Sequence, residues 1–261
     1  MIGKINRYRI ALALLLIGLW ETISDRLISF FWISSPSAII RYLAEITLDG
    51  SLFENLSVTF LEMILGYVLG GVAGILVGFV LGRFESLGKV LDPFLYAFNG
   101  VPRIALAPLV IVWFGIGLPS KVVIAALVVF FITFVNTFSG IKEASQELKN
   151  IVKVMGGTEL DILRKVVLPT AWPWILAALK LSLPYALTGA VVGEFVAASK
   201  GLGFMIQYSS SMFDVTGSMA GIIILAIVVI ILNSILDRVE GMILRWRPKS
   251  PETGGSSAEV M

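Results

Sequence analysis

The chain has 261 residues, 57% of them hydrophobic and only 15% charged, with a mean hydropathy of +0.92. A soluble domain carries about 25% charged residues, so the composition is that of an integral membrane protein. The net charge of +2 decides little, but the lack of any cysteine or histidine excludes disulfides, thiolate nucleophiles and Cys-based metal sites, and removes the commonest general base and zinc or copper ligand.

Lys4, Arg7 and Arg9 precede the apolar run from Ile10 to Trp20, which imitates a secretory signal peptide. The following Glu21-Thr22-Ile23-Ser24-Asp25 offers no small-x-small cleavage site, so an uncleaved first span is expected. A helix needs about 20 apolar residues to cross the hydrocarbon core. Stretches 9–31, 56–82, 91–114, 120–140, 171–196 and 217–237 meet that requirement, which predicts an all-α protein of about six transmembrane helices. Residues 34–55 open on Ser34-Ser35-Pro36, a cap followed by proline, and predict a short helix on the outer surface. With the N-terminus inside, Arg26, Arg41, Lys121 and Lys200 fall outside, while Arg83, Lys89, Lys142, Lys149, Lys153, Arg164, Lys165, Arg238, Arg245, Arg247 and Lys249 join the N-terminal cations inside. That bias is the positive-inside pattern. It predicts a multi-pass protein of the cytoplasmic (inner) membrane with both termini cytoplasmic and 141–170 as the largest cytoplasmic loop. The chain divides into 1–55, a first span and external segment; 56–237, the core; and 238–261, a tail whose end has a disordered composition. Neither a 20–50-residue repeat nor an inverted repeat is evident.

The second span carries Gly66, Gly70, Gly74 and Gly78, one every four residues, and so on one helix face. Such a stripe admits a close neighbouring helix, either within one subunit, between two subunits, or as a moving surface. The third span contains Pro93, Pro102 and Pro108, each removing a backbone donor. Arg103 lies roughly 16 Å into it at 1.5 Å per residue, near the bilayer middle. An arginine there marks either a substrate pathway or a structural ion pair, with Glu62 or Glu194 as partner, unless it snorkels to the interface. Asn99 and Asn136 are further pathway candidates, and Lys180 is expected to snorkel.

In the loop, Ile141, Ala144, Leu148, Ile151, Val152 and Met155 follow a helical rhythm that Gly156-Gly157 breaks. Thr158 is placed as an N-cap with Asp161 three residues on; Glu159 and Asp161 occupy the first turn, Arg164 and Lys165 the last, and Pro169 is expected to end the helix. Leu160, Leu163 and Val167 give it an apolar face. Ten residues make a marginal helix alone, so that face must dock on the membrane, on the protein's own bundle, or on another protein. The mixture of acidic and basic residues favours a protein partner over a lipid surface.

Gly156, nine residues, then Val166-Val167-Leu168-Pro169 resembles the EAA loop of permease subunits of binding-protein-dependent ABC importers. Its usual pattern is Glu-Ala-Ala, three residues, Gly, nine residues, Ile-x-Leu-Pro; Asn150-Ile151-Val152 stand where the acidic-alanine start belongs. Ser35-Pro36-Ser37, Thr59 with Gly66-Tyr67, Asp92-Pro93, Ile104-Ala105-Leu106-Ala107-Pro108-Leu109, Trp113-Phe114-Gly115-Ile116-Gly117, Ser120-Lys121, Glu194 with Gly201-Leu202-Gly203, and Leu244-Arg245-Trp246 resemble the sulfonate, taurine and nitrate branch. The resemblance implies a type I importer permease fold, a homodimer in the lipid membrane, cytoplasmic ATP-binding subunits and an extracytoplasmic solute-binding protein. It implies alternating access for a small anionic solute, with Gly156, Gly157, Thr158, Glu159, Leu160, Asp161, Leu163 and Arg164 coupling to the ATPase. The chain has no G-x-x-x-x-G-K-[ST] loop, so ATP and Mg are expected in the partner, with no cofactor, metal, nucleic acid or catalytic residue on this chain. The alternatives are a self-sufficient secondary transporter or channel driven by an ion gradient, which Arg103, Glu62 and Glu194 would serve, and a carboxylate-based membrane enzyme.

Overall fold

The computed structural model describes residues 2–24, 32–84 and 100–243, with isolated positions between 85 and 99. Among the described residues it is helical, without a strand. Helix α1 (Ile2–Ile23) carries the first apolar run. Helix α2 (Pro36–Leu48) starts as its sequence predicts: the Ser35 hydroxyl accepts from the Ala38 amide, and Pro36 occupies the first turn, where its missing donor costs nothing. Helix α3 (Ser51–Arg83) has 33 residues, roughly 50 Å at 1.5 Å per residue, so it exceeds a hydrocarbon core of about 30 Å.

The third predicted span is not one helix in its described part. Arg103–Leu106 forms a 3-10 turn and α4 (Ala107–Phe114) follows, together too short to span. Pro102 and Pro108 explain the break, since each stands where a helical segment begins rather than inside one. Asn99 and the tail 244–261 lie outside the described residues.

Helix α5 (Leu118–Lys142) is the central rod. Gly66, Gly70, Gly74 and Gly78 of α3 are all buried against it. A Cβ on Gly70 would stand 2.9 Å from Ala126 Cα, and one on Gly78 2.8 Å from the Phe134 carbonyl oxygen. The stripe therefore packs within one chain. On the other side of α5 lies α8 (Leu168–Ala197), where a Cβ on Gly189 would stand 2.7 Å from Ala125 Cα.

Between α5 and α8 the loop forms α6 (Gln146–Val154), the short α7 (Glu159–Ile162) and a π turn, Leu163–Val167. Here Pro169 does not stop the helix: the segment Glu159–Ala197 is continuous. In a regular α-helix the Pro169 ring would collide with the carbonyl four residues back. The wider π turn, whose Leu168 N–H bonds to Leu163 O, makes room for it. The Thr170 hydroxyl donates to Val166 O at 2.8 Å, adding a bond where the ladder is irregular. Helix α9 (Leu202–Ser211) and α10 (Val215–Ile243) complete the bundle. Lys180, expected to snorkel, reaches the exposed Asp237 of α10 at 2.6 Å and so ties α8 to α10.

Gly70→Ala should lower the thermal stability of the detergent-purified protein by an amount typical of overpacking, about 1–3 kcal/mol. Gly71→Ala should not, because its Cβ would meet nothing nearer than Leu179 Cδ2 at 3.5 Å. Equal melting temperatures for the two variants would mean that α3 and α5 are not in close contact.

Candidate functional site

Two polar features stand at opposite ends of the α3–α5–α8 core. The first is the loop. Ser145 caps α6 by accepting from the Leu148 amide. The chain then turns at Gly156, whose φ of +78° lies in the left-handed region that favours glycine. Gly157 is required for space, since a Cβ there would stand 2.8 Å from Val152 O. Thr158 closes the predicted capping box: the Asp161 amide donates to Thr158 Oγ1 at 3.2 Å, and the Thr158 amide to Asp161 Oδ2 at 2.9 Å. Asp161 also pairs with Lys165 at 2.8 Å.

Glu159 joins three elements, accepting from Arg83 at the end of α3 at 2.6 Å and from Lys153 of α6 at 3.1 Å. Ile162, Val166 and Val167 are buried against Ile141, Ala144, Ala171 and Ile175, with Leu163 packed beside them. So Leu163 and Val167 of the predicted apolar face pack on the protein's own bundle, one of the three partners named for it, while Leu160 stays open. What remains outward is different: Val154 is 89% and Met155 81% exposed, with Ile151 and Leu160 also open. These apolar side chains mostly precede Gly156, and Glu159 and Asp161 are engaged in holding the loop's shape. Arg164 is exposed beside Leu168, Pro169 and Trp172.

The second feature is a buried polar cluster. Asn55, Thr59 and Glu62 recur every three or four residues, so they share one face of α3. Glu62 Oε1 accepts from Lys121 Nζ at 2.6 Å, and both side chains are buried. Gly193 of α8 makes room for Lys121, since a Cβ there would stand 3.1 Å from Lys121 Cα. Glu194 accepts from the Thr59 hydroxyl at 2.6 Å and from the Gly203 amide at 2.6 Å. The Leu202 amide donates to Thr59 Oγ1 at 2.8 Å and the Gly201 amide to Asn55 Oδ1 at 2.8 Å. Three donors at the start of α9, left over by helix geometry, are thereby satisfied by side chains of α3 and α8. Gly201, at φ +118°, lies directly over the Glu194 carboxylate. At the cluster's margin Lys200 pairs with Glu54.

The Arg103 pairing with Glu62 or Glu194 does not occur among the described contacts of those carboxylates. Lys121 takes the place expected for Arg103, whose guanidinium instead lies 5.2 Å from the centre of the Phe131 ring. Arg103 begins a 3-10 turn rather than sitting inside a continuous helix, so its depth in a straight span does not apply. Asn136 donates to Ile132 O of its own helix at 2.8 Å. Lys121 was overlooked because its charge count assigned it to an outer loop. The spacing of Asn55, Thr59 and Glu62 on one face is the signal that could have located the cluster.

Among the described residues, four helices are long and apolar enough to cross a membrane, and a capped loop joins two of them at one end. Residues 70–247 match the family described as binding-protein-dependent transport system inner membrane component, and the chain belongs to that family. It is 34% identical over 233 residues to a putative aliphatic sulfonates transport permease protein of Bacillus subtilis (strain 168), covering 89% of this chain and 84% of that one. It is 33% identical over 237 residues to a formylaminopyrimidine transport permease protein of Halalkalibacterium halodurans, covering 90% and 94%. Among solved structures, the inward-facing MetNI methionine ABC transporter matches with a TM-score of 0.59 at 25% identity, covering 76% of this chain and 96% of that one. The protein is thus a permease subunit of an ABC importer of the inner membrane, and the family implies ATP-binding subunits and a solute-binding protein as partners.

Breaking the buried pair with Lys121→Met should cost about 3–5 kcal/mol by leaving Glu62 uncompensated. Adding Glu62→Met should recover most of the loss, read as melting temperature in detergent. A double variant no more stable than the single one would show that the pair is not an isolated unit.

Proposed function

We propose that this chain works as one half of a homodimeric permease, both termini in the cytoplasm, importing a small anionic organic solute by alternating access. The observation that carries the reading is the uninterrupted helix Glu159–Ala197. It joins the capped loop to Glu194 in the buried cluster as one continuous helix, so a displacement of the loop is carried along α8 toward its far end. The π turn and Pro169 are where such a rod bends most easily, because its hydrogen-bond ladder is irregular there.

In this reading a groove of the ATP-binding subunit receives Val154, Met155, Ile151 and Leu160, the apolar side chains that the loop leaves open. Gly156, Gly157, Thr158 and Asp161 hold the loop's shape, and Glu159 fixes it to α3 and α6. ATP and Mg bind in the partner, and this chain contributes no catalytic group. Sulfonates are the favoured solutes, supported by the Bacillus subtilis relative. The formylaminopyrimidine relative, at nearly equal identity, shows how little the permease sequence constrains the cargo. The family membership gives no support to a self-sufficient, ion-driven transporter.

Val154→Glu with Met155→Glu should abolish ATP-driven uptake of a labelled alkanesulfonate and reduce recovery of the ATPase on affinity purification about tenfold. The chain should still insert in the membrane, because both side chains lie outside the packed bundle. Undiminished ATPase recovery would place the docking surface elsewhere. Uptake by the lone chain under an ion gradient, without ATP, would overturn the importer mechanism.

A further inference from the structure

The end of the bundle that bears the loop also holds a cleft of about 760 Å³ between the last residues of α3, the end of α5, α6 and the start of α7. Arg83, Lys142, Lys149 and Lys153 line it against only two carboxylates, Glu143 and Glu159. Glu159 is already shared between Arg83 and Lys153. Lys142 lies 4.2 Å from the centre of the Phe138 ring. Lys149 is half-buried, and its ammonium makes no hydrogen bond or ion pair with the described residues. The floor is apolar, formed by Ile141, Ile162 and Val167. A partly desolvated cationic pocket with one carboxylate already saturated favours an added anion.

We propose that this cleft binds the phosphate headgroup of an anionic phospholipid. Two features select a lipid over a free ion. Arg83 and Lys142 close two helices long and apolar enough to cross a membrane, so their charges fall on the headgroup side of the hydrocarbon core rather than within it. The floor beneath the cations is apolar, which suits a glycerol backbone and the first methylenes better than it suits a hydrated ion. Basic pockets between helix ends are a general route to anionic headgroup recognition. The phosphate oxygens would accept from Lys149 and from the Arg83 N–H groups not directed at Glu159. Because Glu159 also fixes the loop, a headgroup that competes for Arg83 and Lys153 would reach the loop as well. The site would then make the importer sensitive to membrane composition.

The test uses the full chain reconstituted in nanodiscs of phosphatidylcholine with graded phosphatidylglycerol, extracted and weighed by native mass spectrometry. Phosphatidylglycerol should be retained in preference to phosphatidylcholine. Lys149→Gln should lower that retention about fivefold, the weight of one basic residue near an anionic surface, and Lys142→Gln with Lys149→Gln should remove the preference. Arg238→Gln, a change outside the cleft, should leave it intact. Equal retention of both lipids, or equal effects of Lys149→Gln and Arg238→Gln, would overturn the proposal. So would displacement of phosphatidylglycerol by inorganic phosphate that also stabilises the chain in pure phosphatidylcholine, which would make the cleft a free-phosphate site. The measurement involves neither ATPase nor cargo, so its failure is distinct from a failure of the transport reading.

Discussion

The close approach of α3 and α8 to α5 is the contact on which the rest of the molecule depends. Within a bilayer the lipid tails are as apolar as leucine side chains, so no hydrophobic driving force gathers helices. Association must come from short-range packing, which falls away quickly as surfaces separate. Gly70 and Gly78 on α3 and Gly189 on α8 remove the side chains that would hold α5 off. With the three rods fixed, Lys121 at one end of α5 must face Glu62, and Ile141 at the other must face Val166 and Val167.

The two polar features are consequences of that scaffold, and they use opposite strategies. In the buried cluster a helix start, that of α9, is stitched to α3 and α8 by side chains rather than by water. The amides of Gly201, Leu202 and Gly203 each find a side-chain acceptor there, which is what a dry environment demands of a helix start. The loop end instead presents half-exposed ion pairs around Glu159, whose side chain is 59% exposed. Such pairs contribute little to stability individually, so the loop's shape rests mainly on the Thr158–Asp161 box and on the burial of Ile162, Val166 and Val167. A surface held in shape from behind, with Val154 and Met155 open in front, is suited to receive a partner.

Much of this was legible beforehand. The long apolar runs, the Ser35-Pro36 start, the glycine spacing and the Thr158 cap are local signals, and each depends only on residues within a turn or two. The failures share a different character. Pro169 looked like a stop because a proline inside an α-helix breaks it; a π turn before it was the cheaper solution once α8 and the loop packed on the same partner. Arg103 looked like the membrane-buried charge because depth was counted along one unbroken helix, and Pro102 and Pro108 break it. Lys121 looked like a surface residue because it begins a span, yet α3 extends past it and brings Glu62 alongside.

Sequence alone determined the class of molecule, the places where helices begin, the turn at Gly156-Gly157 and the family, since each follows from composition, periodicity or a motif in order. Only the tertiary structure decided which charges pair, which face of the loop is hidden, and that 158–168 continues into α8. Those outcomes depend on distances between helices far apart along the chain, set by how closely small side chains let backbones approach.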